Sequence, residues 1–266
     1  LVQTIEGNPA IIHGGPFANI AQGTNSVIAT RMGMTFSEYT VTEAGFGFDL
    51  GAEKFFDIKC QSAGLKPKAV VLTATIRALK YHGGADLKNL TTPDAAALKL
   101  GLPNLEKHLE NIKLFQVTPV IAINKFTSDS DEEIQVILDY AASKNIKVAV
   151  ADVWAHGGKG ALDLAQKVID AVEENQSNFK ALYDWNLDVK AKIETIATKI
   201  YGAEHVDYSS KARQDLAKIK GLNLEHLPVC IAKTQKSLSD NPKLLGRPKD
   251  FIITVREIEI ASGAGF

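Results

Sequence analysis

Val117-Thr118-Pro119-Val120-Ile121-Ala122-Ile123-Asn124 and, further on, Val148-Ala149-Val150-Ala151-Asp152-Val153 are almost continuously apolar, β-branched runs. Such runs mark strands buried on both faces, as in a parallel sheet. Between them, Asp131 to Ser143 places apolar residues at Ile134, Ile137, Leu138 and Ala141, and beyond them Leu162 to Val172 does so at Leu162, Ala165, Val168, Ile169 and Val172. Both spacings predict amphipathic crossover helices. Ser128-Asp129-Ser130-Asp131-Glu132-Glu133 opens the first helix with cap residues and with acids that meet the positive end of its dipole. Strand, helix, strand, helix over 117–172 is a βαβ pattern, so ligands are expected at the carboxyl ends of the strands.

Working outward, Ala69 to Ile76 and Val229 to Lys233 read as two more apolar strands, and Phe251 to Ile260 alternates as a late one. Val189 to Ile219 reads as two helices separated by Tyr201-Gly202-Ala203-Glu204-His205, and Gly83 to Leu109, rich in Leu, Asn, Thr and Pro, reads as an excursion or lid. The expected class is α/β, a mostly parallel sheet with crossover helices.

The 266 residues suffice to bury roughly three quarters of the surface that the unfolded chain exposes. Thirty basic against thirty-one acidic residues leave a net charge of −1, which argues against partners held by bulk charge, whether nucleic acid or a membrane surface. Only five of the basic residues are arginine (Arg31, Arg77, Arg213, Arg247, Arg256), so lysine point charges dominate anion capture. Cys60 and Cys230 form no CxxC, and neither a disulfide framework nor a cysteine zinc site is indicated. A reducing cytoplasm is the simplest setting. The longest uncharged apolar stretches are strand-sized, short of the roughly 18 residues a membrane helix needs. The sequence opens on Leu1 and stops at Gly265-Phe266 just after a strand-like run, so both ends are expected to be cuts.

Three histidines share one tripeptide pattern: His13-Gly14-Gly15, His82-Gly83-Gly84 and His156-Gly157-Gly158. Glycine pairs let backbone N–H groups form an anion-binding concavity with a polar side chain at its edge, and they also make ordinary turns. His13 opens a loop that leads into Ala18 to Ile28, a candidate helix. Gly45-Phe46-Gly47-Phe48-Asp49-Leu50-Gly51 is one residue too long for a dinucleotide fingerprint, and Gly157-Gly158-Lys159-Gly160 lacks the upstream glycine of a phosphate-binding P-loop. Asn124-Lys125-Phe126-Thr127 carries Thr where a guanine-reading motif needs Asp.

Phe126 follows one strand and Trp154 the next, so in a parallel unit both emerge at the same sheet edge. They are placed either to sandwich a flat ring or to plug the core under the following helices. Phe46, between two glycines, is a third ring with little local packing. Glu38, Glu43, Asp49 and Glu53 cluster between glycine-rich loops, as an acid/base or ion site or as a solvated helix start, and Lys59 and Lys233 are candidate phosphate contacts or solvated loop lysines.

His13-Gly14-Gly15-Pro16-Phe17-Ala18-Asn19-Ile20-Ala21, Glu43 through Gly47 with Asp49 through Phe55, Ala69-Val70-Val71-Leu72 with Ala74 through Lys80, and Lys233-Thr234-Gln235 together closely resemble formate–tetrahydrofolate ligases. The resemblance runs over essentially the whole chain. It implies a fold related to P-loop NTPases and the joining of formate to tetrahydrofolate at the expense of ATP, through formyl phosphate. It places the folate ring system against Phe126 and Trp154, with Phe46 nearby. The ATP and formyl-phosphate side falls on Gly14, Gly15, Ala18, Asn19, Gly45 and Lys59, and His13 is the one catalytic candidate. No metal ligand set is expected in the chain; ATP would bring Mg, and a monovalent cation is left open.

The phosphate-binding loop and Walker lysine of that family are absent from these residues, and family sequences continue past Gly265. The chain is therefore expected to be the carboxyl-side part of such a ligase, incomplete at its amino-terminal side and inactive alone, with a homo-oligomeric parent. The alternative is a non-catalytic folate-binding or oligomerisation module of the same family. Residues 1–115 would form a cleft-forming segment with glycine-rich loops, and residues 116–266 an α/β domain carrying the folate-facing aromatics.

Overall fold

The apolar runs form neighbouring parallel strands. A computed structural model describes residues 1–12, 14 and 22–266. In chain order it contains β1 (Val2–Gln3), β2 (Pro9–Ala10), α1 (Val27–Phe36), two π-helical turns (Phe48–Ala52 and Phe55–Cys60), α2 (Gln61–Ala63), β3 (Ala69–Ala74), α3 (Ile76–His82) and α4 (Ala95–Leu114). There follow β4 (Thr118–Asn124), α5 (Asp131–Ser143), β5 (Lys147–Ala151), α6 (Val153–His156) and α7 (Leu162–Glu173). The chain closes with α8 (Val189–Thr195), a third π turn (Ile196–Tyr201), β6 (His205–Tyr208), α9 (Ser210–Gly221) and β7 (Ile252–Val255). None of the described helices is long and apolar enough to cross a membrane.

The chain divides into two compact units. Leu1–Leu65, Ala181–Pro242 and Lys249–Phe266 form one, here called the glycine-loop unit; Lys66–Lys180 with Lys243–Pro248 form the other, the sheet unit. A cut at 115/116 would part β3 from β4, its partner in the sheet, and the compact units do not follow it.

In the sheet unit the strands run β3-β4-β5, all parallel, with Ala74 beside Ile123 and Asn124 beside Ala151. The central strand is the most buried: Val120, Ile121 and Ile123 are wholly enclosed, each side chain contributing about 1.5–3 kcal/mol by leaving water. The expected lid at 83–109 is instead mostly α4, whose Leu98, Leu105, Leu109 and Ile112 recur at helical spacing and are buried. This makes it a crossover helix. It meets α3 backbone to backbone: a Cβ at Gly101 would fall 1.9 Å from the Leu79 carbonyl oxygen, and one at Gly83 1.8 Å from that of Ala97. His82 Nδ1 accepts the Gly246 N–H at 3.1 Å, and Asn104 donates to the Gly246 carbonyl at 2.8 Å. Thus the second His-Gly-Gly is a structural clamp on the returning segment 243–248.

Glu133 ties the helix starts of this unit together. It closes a capping box with Ser130 at the head of α5, accepts the Asp94 N–H at the head of α4 (2.8 Å), and pairs with buried Lys80 of α3 at 2.7 Å. Lys80 also donates to the Thr92 carbonyl at 2.8 Å. Burial alone would raise the Glu133 carboxyl, but the hydrogen bonds from Lys80, the Asp94 and Ser130 amides and the Ser130 hydroxyl outweigh it and bring it down to about 2.

The glycine-loop unit pairs β6 with β7 in parallel, and α8 and α9 bury Val189, Ile193, Ala212 and Ile219 with Tyr208. The interval between its two expected helices thus carries a strand, which the five-residue spacer at 201–205 did not signal. Val229 to Lys233, expected as a strand, is irregular; the Val229 N–H donates to the Tyr183 hydroxyl at 3.2 Å, so it is not spent on a strand ladder. Residues 18–21 of the candidate helix at 18–28 lie outside the described residues, and in the remainder the helix begins only at Val27, capped by Ser26.

Breaking a buried ion pair costs about 3–5 kcal/mol because the remaining charge is stranded. Glu133→Gln is expected to lower the urea-unfolding free energy of the chain by that order. Because the carboxyl is held below its unfolded value, its contribution is complete above pH ~4.3 and is lost as pH falls from there towards 2. The variant should show no such acid-side loss.

Candidate functional site

The carboxyl edge of the sheet gathers one group from each strand. β5 passes into α6, which carries Trp154, and β4 passes into the turn that holds Phe126. The turn is closed in both directions: Phe126 N–H donates to Asp129 Oδ2 at 2.8 Å, and Asp129 N–H donates to the Phe126 carbonyl at 3.0 Å. Lys125 N–H donates to the Ala151 carbonyl at 3.1 Å and its ammonium lies 3.2 Å from Asp152, so the ends of β4 and β5 are fastened to each other. The pair is partly exposed and contributes about 0–1 kcal/mol, so its weight is positional.

Trp154 is 79% exposed and Phe126 is half-buried. A tryptophan plugging the core would be covered; this one is offered to solvent at the strand ends. Beyond β3, the Arg77 guanidinium lies over the Phe126 ring at 4.5 Å from its centroid, and Nη2 donates to Ser128 Oγ at 3.1 Å. The sequence places Arg77 among the scarce arginines and within the Ala74 to Lys80 motif, without a site role. Its place one residue inside the helix that follows β3 was the available signal.

His156 and Gly157 to Lys159 are exposed at the end of α6. Gly157 has φ 55° and ψ −144°, a conformation that is essentially glycine's own, and a Cβ at Gly160 would fall 2.2 Å from the Asp152 carbonyl oxygen. The glycines here shape the turn.

The glycine-loop unit holds the other candidates. Gly14 is exposed, whereas His13, Gly15, Ala18 and Asn19 lie outside the described residues. Gly45 N–H donates to the Gly23 carbonyl at 3.0 Å, and a Cβ at Gly51 would fall 1.6 Å from the Gly45 carbonyl oxygen, so the first π turn packs directly on the loop. Phe46 has φ 60°, a strained value for a bulky residue, and is 51% exposed. Lys59 is buried; its ammonium meets Asn25 O at 2.8 Å, Thr30 Oγ1 at 2.9 Å, Asn25 Oδ1 at 3.0 Å and Thr24 Oγ1 at 3.3 Å. Its donors are occupied by the loop that precedes α1, and burial pushes its pKa down to about 8. Lys233 is likewise buried, 2.7 Å from Asp49 and 4.8 Å from the Tyr201 ring centroid.

The acids expected as an ion site or solvated helix start divide. Glu38 and Glu43 are exposed, but Asp49 and Glu53 are buried, together with Lys54 and Asp57. Asp57 accepts the Leu182 N–H at 2.7 Å through Oδ1, while its Oδ2 and both Glu53 oxygens are enclosed without a donor. Burial first, and the Asp57 charge second, hold the Glu53 carboxyl well above the usual range; burial pushes Asp57 up to about 7 and Lys54 down. A proton held by Glu53 supplies the donor that the facing oxygens lack. With Lys54 and Lys233 beside them, these acids do not fit a resident cation, and no group of three His, Cys, Asp or Glu among the described residues is placed to hold a metal ion.

A family model described as formate–tetrahydrofolate ligase matches residues 1–266. The chain belongs to the formate–tetrahydrofolate ligase family. Its ligase class, and formate, ATP and tetrahydrofolate as the substrates of the family, follow from that membership.

Asp57 keeps its proton longer when folded than when unfolded, so folding is progressively disfavoured as pH rises from the unfolded value of about 3.9 to about 7 and the penalty is constant above that. In Asp57→Asn, which retains the Oδ1 acceptor, thermal melts across this window should show a smaller decline, the part set by burial of Glu53 remaining.

Proposed function

We propose that these residues form the folate-holding part of an ATP-dependent ligase that joins formate to tetrahydrofolate through formyl phosphate, giving 10-formyltetrahydrofolate. The observation that carries the reading is the pair Phe126 and Trp154 at the carboxyl ends of adjacent parallel strands, one of them largely exposed. Stacking contributes about 0.5–1.5 kcal/mol per ring pair beyond area burial, enough for two rings to orient a flat guest. Phe46 is assigned as the third folate-facing ring, its exposure at a strained backbone position supporting a role other than core packing.

Formate is a poor acyl donor until phosphorylation turns one oxygen into a leaving group. The mixed anhydride then needs a site that excludes water and presents donors to the oxyanion that forms as a folate nitrogen attacks. Gly14, Gly15, Ala18, Asn19 and Gly45 are assigned to that side of the reaction, with His13 as the candidate catalytic group. Lys59 acts there through the loop at 24–30 that its ammonium holds. ATP with Mg enters as substrate. Burial pushes Cys60 up to about 12 and Cys230 to about 11, so both thiols stay protonated and neither serves as nucleophile. A reducing cytoplasm and a homo-oligomeric parent complete the proposed setting.

The 266 residues contain no G-x-x-x-x-G-K-S/T cradle for ATP phosphates. The chain alone, given formate, ATP, Mg and tetrahydrofolate, is therefore expected to make no 10-formyltetrahydrofolate, and turnover would overturn this part of the reading. Tetrahydrofolate titrated into the chain should change tryptophan emission. Trp154→Phe should abolish the change, and titration calorimetry should show weaker binding in that variant and about 2- to 12-fold weaker binding in Phe126→Leu. Unaltered affinity in both variants would remove the folate assignment and leave an assembly module of the same family.

A further inference from the structure

Arg77 stands out at the sheet edge because every other group there belongs to β4 or β5. Neighbouring strands lie about 4.8 Å apart, close to the separation of a stacked pair. A cation leaving the end of β3 and a ring leaving the end of β4 can therefore lie face to face without either straying from its strand. The observed separation is 4.5 Å. The side chain is anchored at its far end by Ser128, a member of the same closed turn as Phe126, so one residue grips both the ring and the loop that carries it.

Arg77 follows β3 and Phe126 follows β4, which is central in the order β3-β4-β5. Arg77 thus takes one face of the Phe126 ring, and the strand next to that of Phe126 is the one whose end carries Trp154. We propose that Arg77 is a positioning residue that fixes Phe126 as one wall of the ring-binding slot, a role that rests on the folate reading given above. A cation behind the ring also draws electron density from the face in front, so the platform prefers an electron-rich flat guest, such as an amino-substituted aromatic ring. Lysine cannot replace it: a point charge on a flexible stem does not hold a ring face and a hydroxyl at once.

The test combines tetrahydrofolate titration, read by calorimetry, with the flip rate of the Phe126 ring measured by NMR in the free chain. Arg77→Met is expected to weaken tetrahydrofolate binding about 2- to 30-fold, with Arg77→Lys between it and the parent. The Phe126 flip rate should rise in both while that of buried Phe115 in the same unit does not change. A merely structural arginine would alter both rings or neither. Unchanged affinity in Arg77→Met, with or without faster flipping, overturns the proposal and leaves the folate reading in place if Phe126→Leu still binds more weakly. No uptake of tetrahydrofolate by the parent chain, or full affinity in Phe126→Leu together with Trp154→Phe, overturns the folate reading and this proposal with it.

Discussion

Glu133 receives hydrogen bonds from Lys80, from the Asp94 amide and from both the amide and hydroxyl of Ser130, while almost no water reaches it. Each partner opens or belongs to a different helix, so one carboxylate sets where α3, α4 and α5 stand at the carboxyl end of the sheet. Isolated, this charge would be intolerable at such depth; satisfied on every side, it is rigid. The turn that carries Phe126 is the direct lead-in to Ser130, and Arg77 sits one turn before Lys80 on α3. The ring and the cation over it therefore inherit their places from the same buried pair. The site edge is shaped by an interaction that touches no ligand.

The glycine-loop unit is organised on the opposite principle. Asp49 pairs with Lys233, but Glu53 and Asp57 are not matched donor for donor, and a proton on Glu53 supplies the donor that their facing oxygens lack. π-helical turns recur in this unit and place Asp49, Asp57 and Lys59 inward on successive turns. Such turns widen the backbone locally and are frequent near functional sites. Here they let the loop bearing Gly45 and Phe46 rest against Gly51 with no side chain between.

The parallel sheet was legible because buried strands cannot disguise themselves: β4 has no room for a polar residue between Val120 and Ile123. The edge positions of Phe126 and Trp154 followed from chain direction alone. The character of α4 was hidden by Pro103, Gly101 and the polar residues around them, which resemble loop composition until the Leu98, Leu105, Leu109 spacing is laid on a helix. The segment Val229 to Lys233 misled for the converse reason, since its β-branched residues pack without a strand partner. Burial of Glu53, Lys54 and Asp57 was not readable at all. A charged residue's depth depends on which other charges the fold brings to it, and sequence spacing does not carry that.

The contact between α3 and α4 has a genetic side. At Gly83 and Gly101 the opposing carbonyl already occupies the space that the smallest side chain would need. Every missense codon change at either position adds at least a Cβ, and the atoms it would meet are backbone, which cannot swing aside. The two positions are thus closed to gradual variation: a lineage can keep glycine at both or must move one helix relative to the other. Because α3 also carries Arg77 and Lys80, such a move would shift the cation over Phe126 as well, and drift in this helix pair is coupled to the carboxyl edge of the sheet.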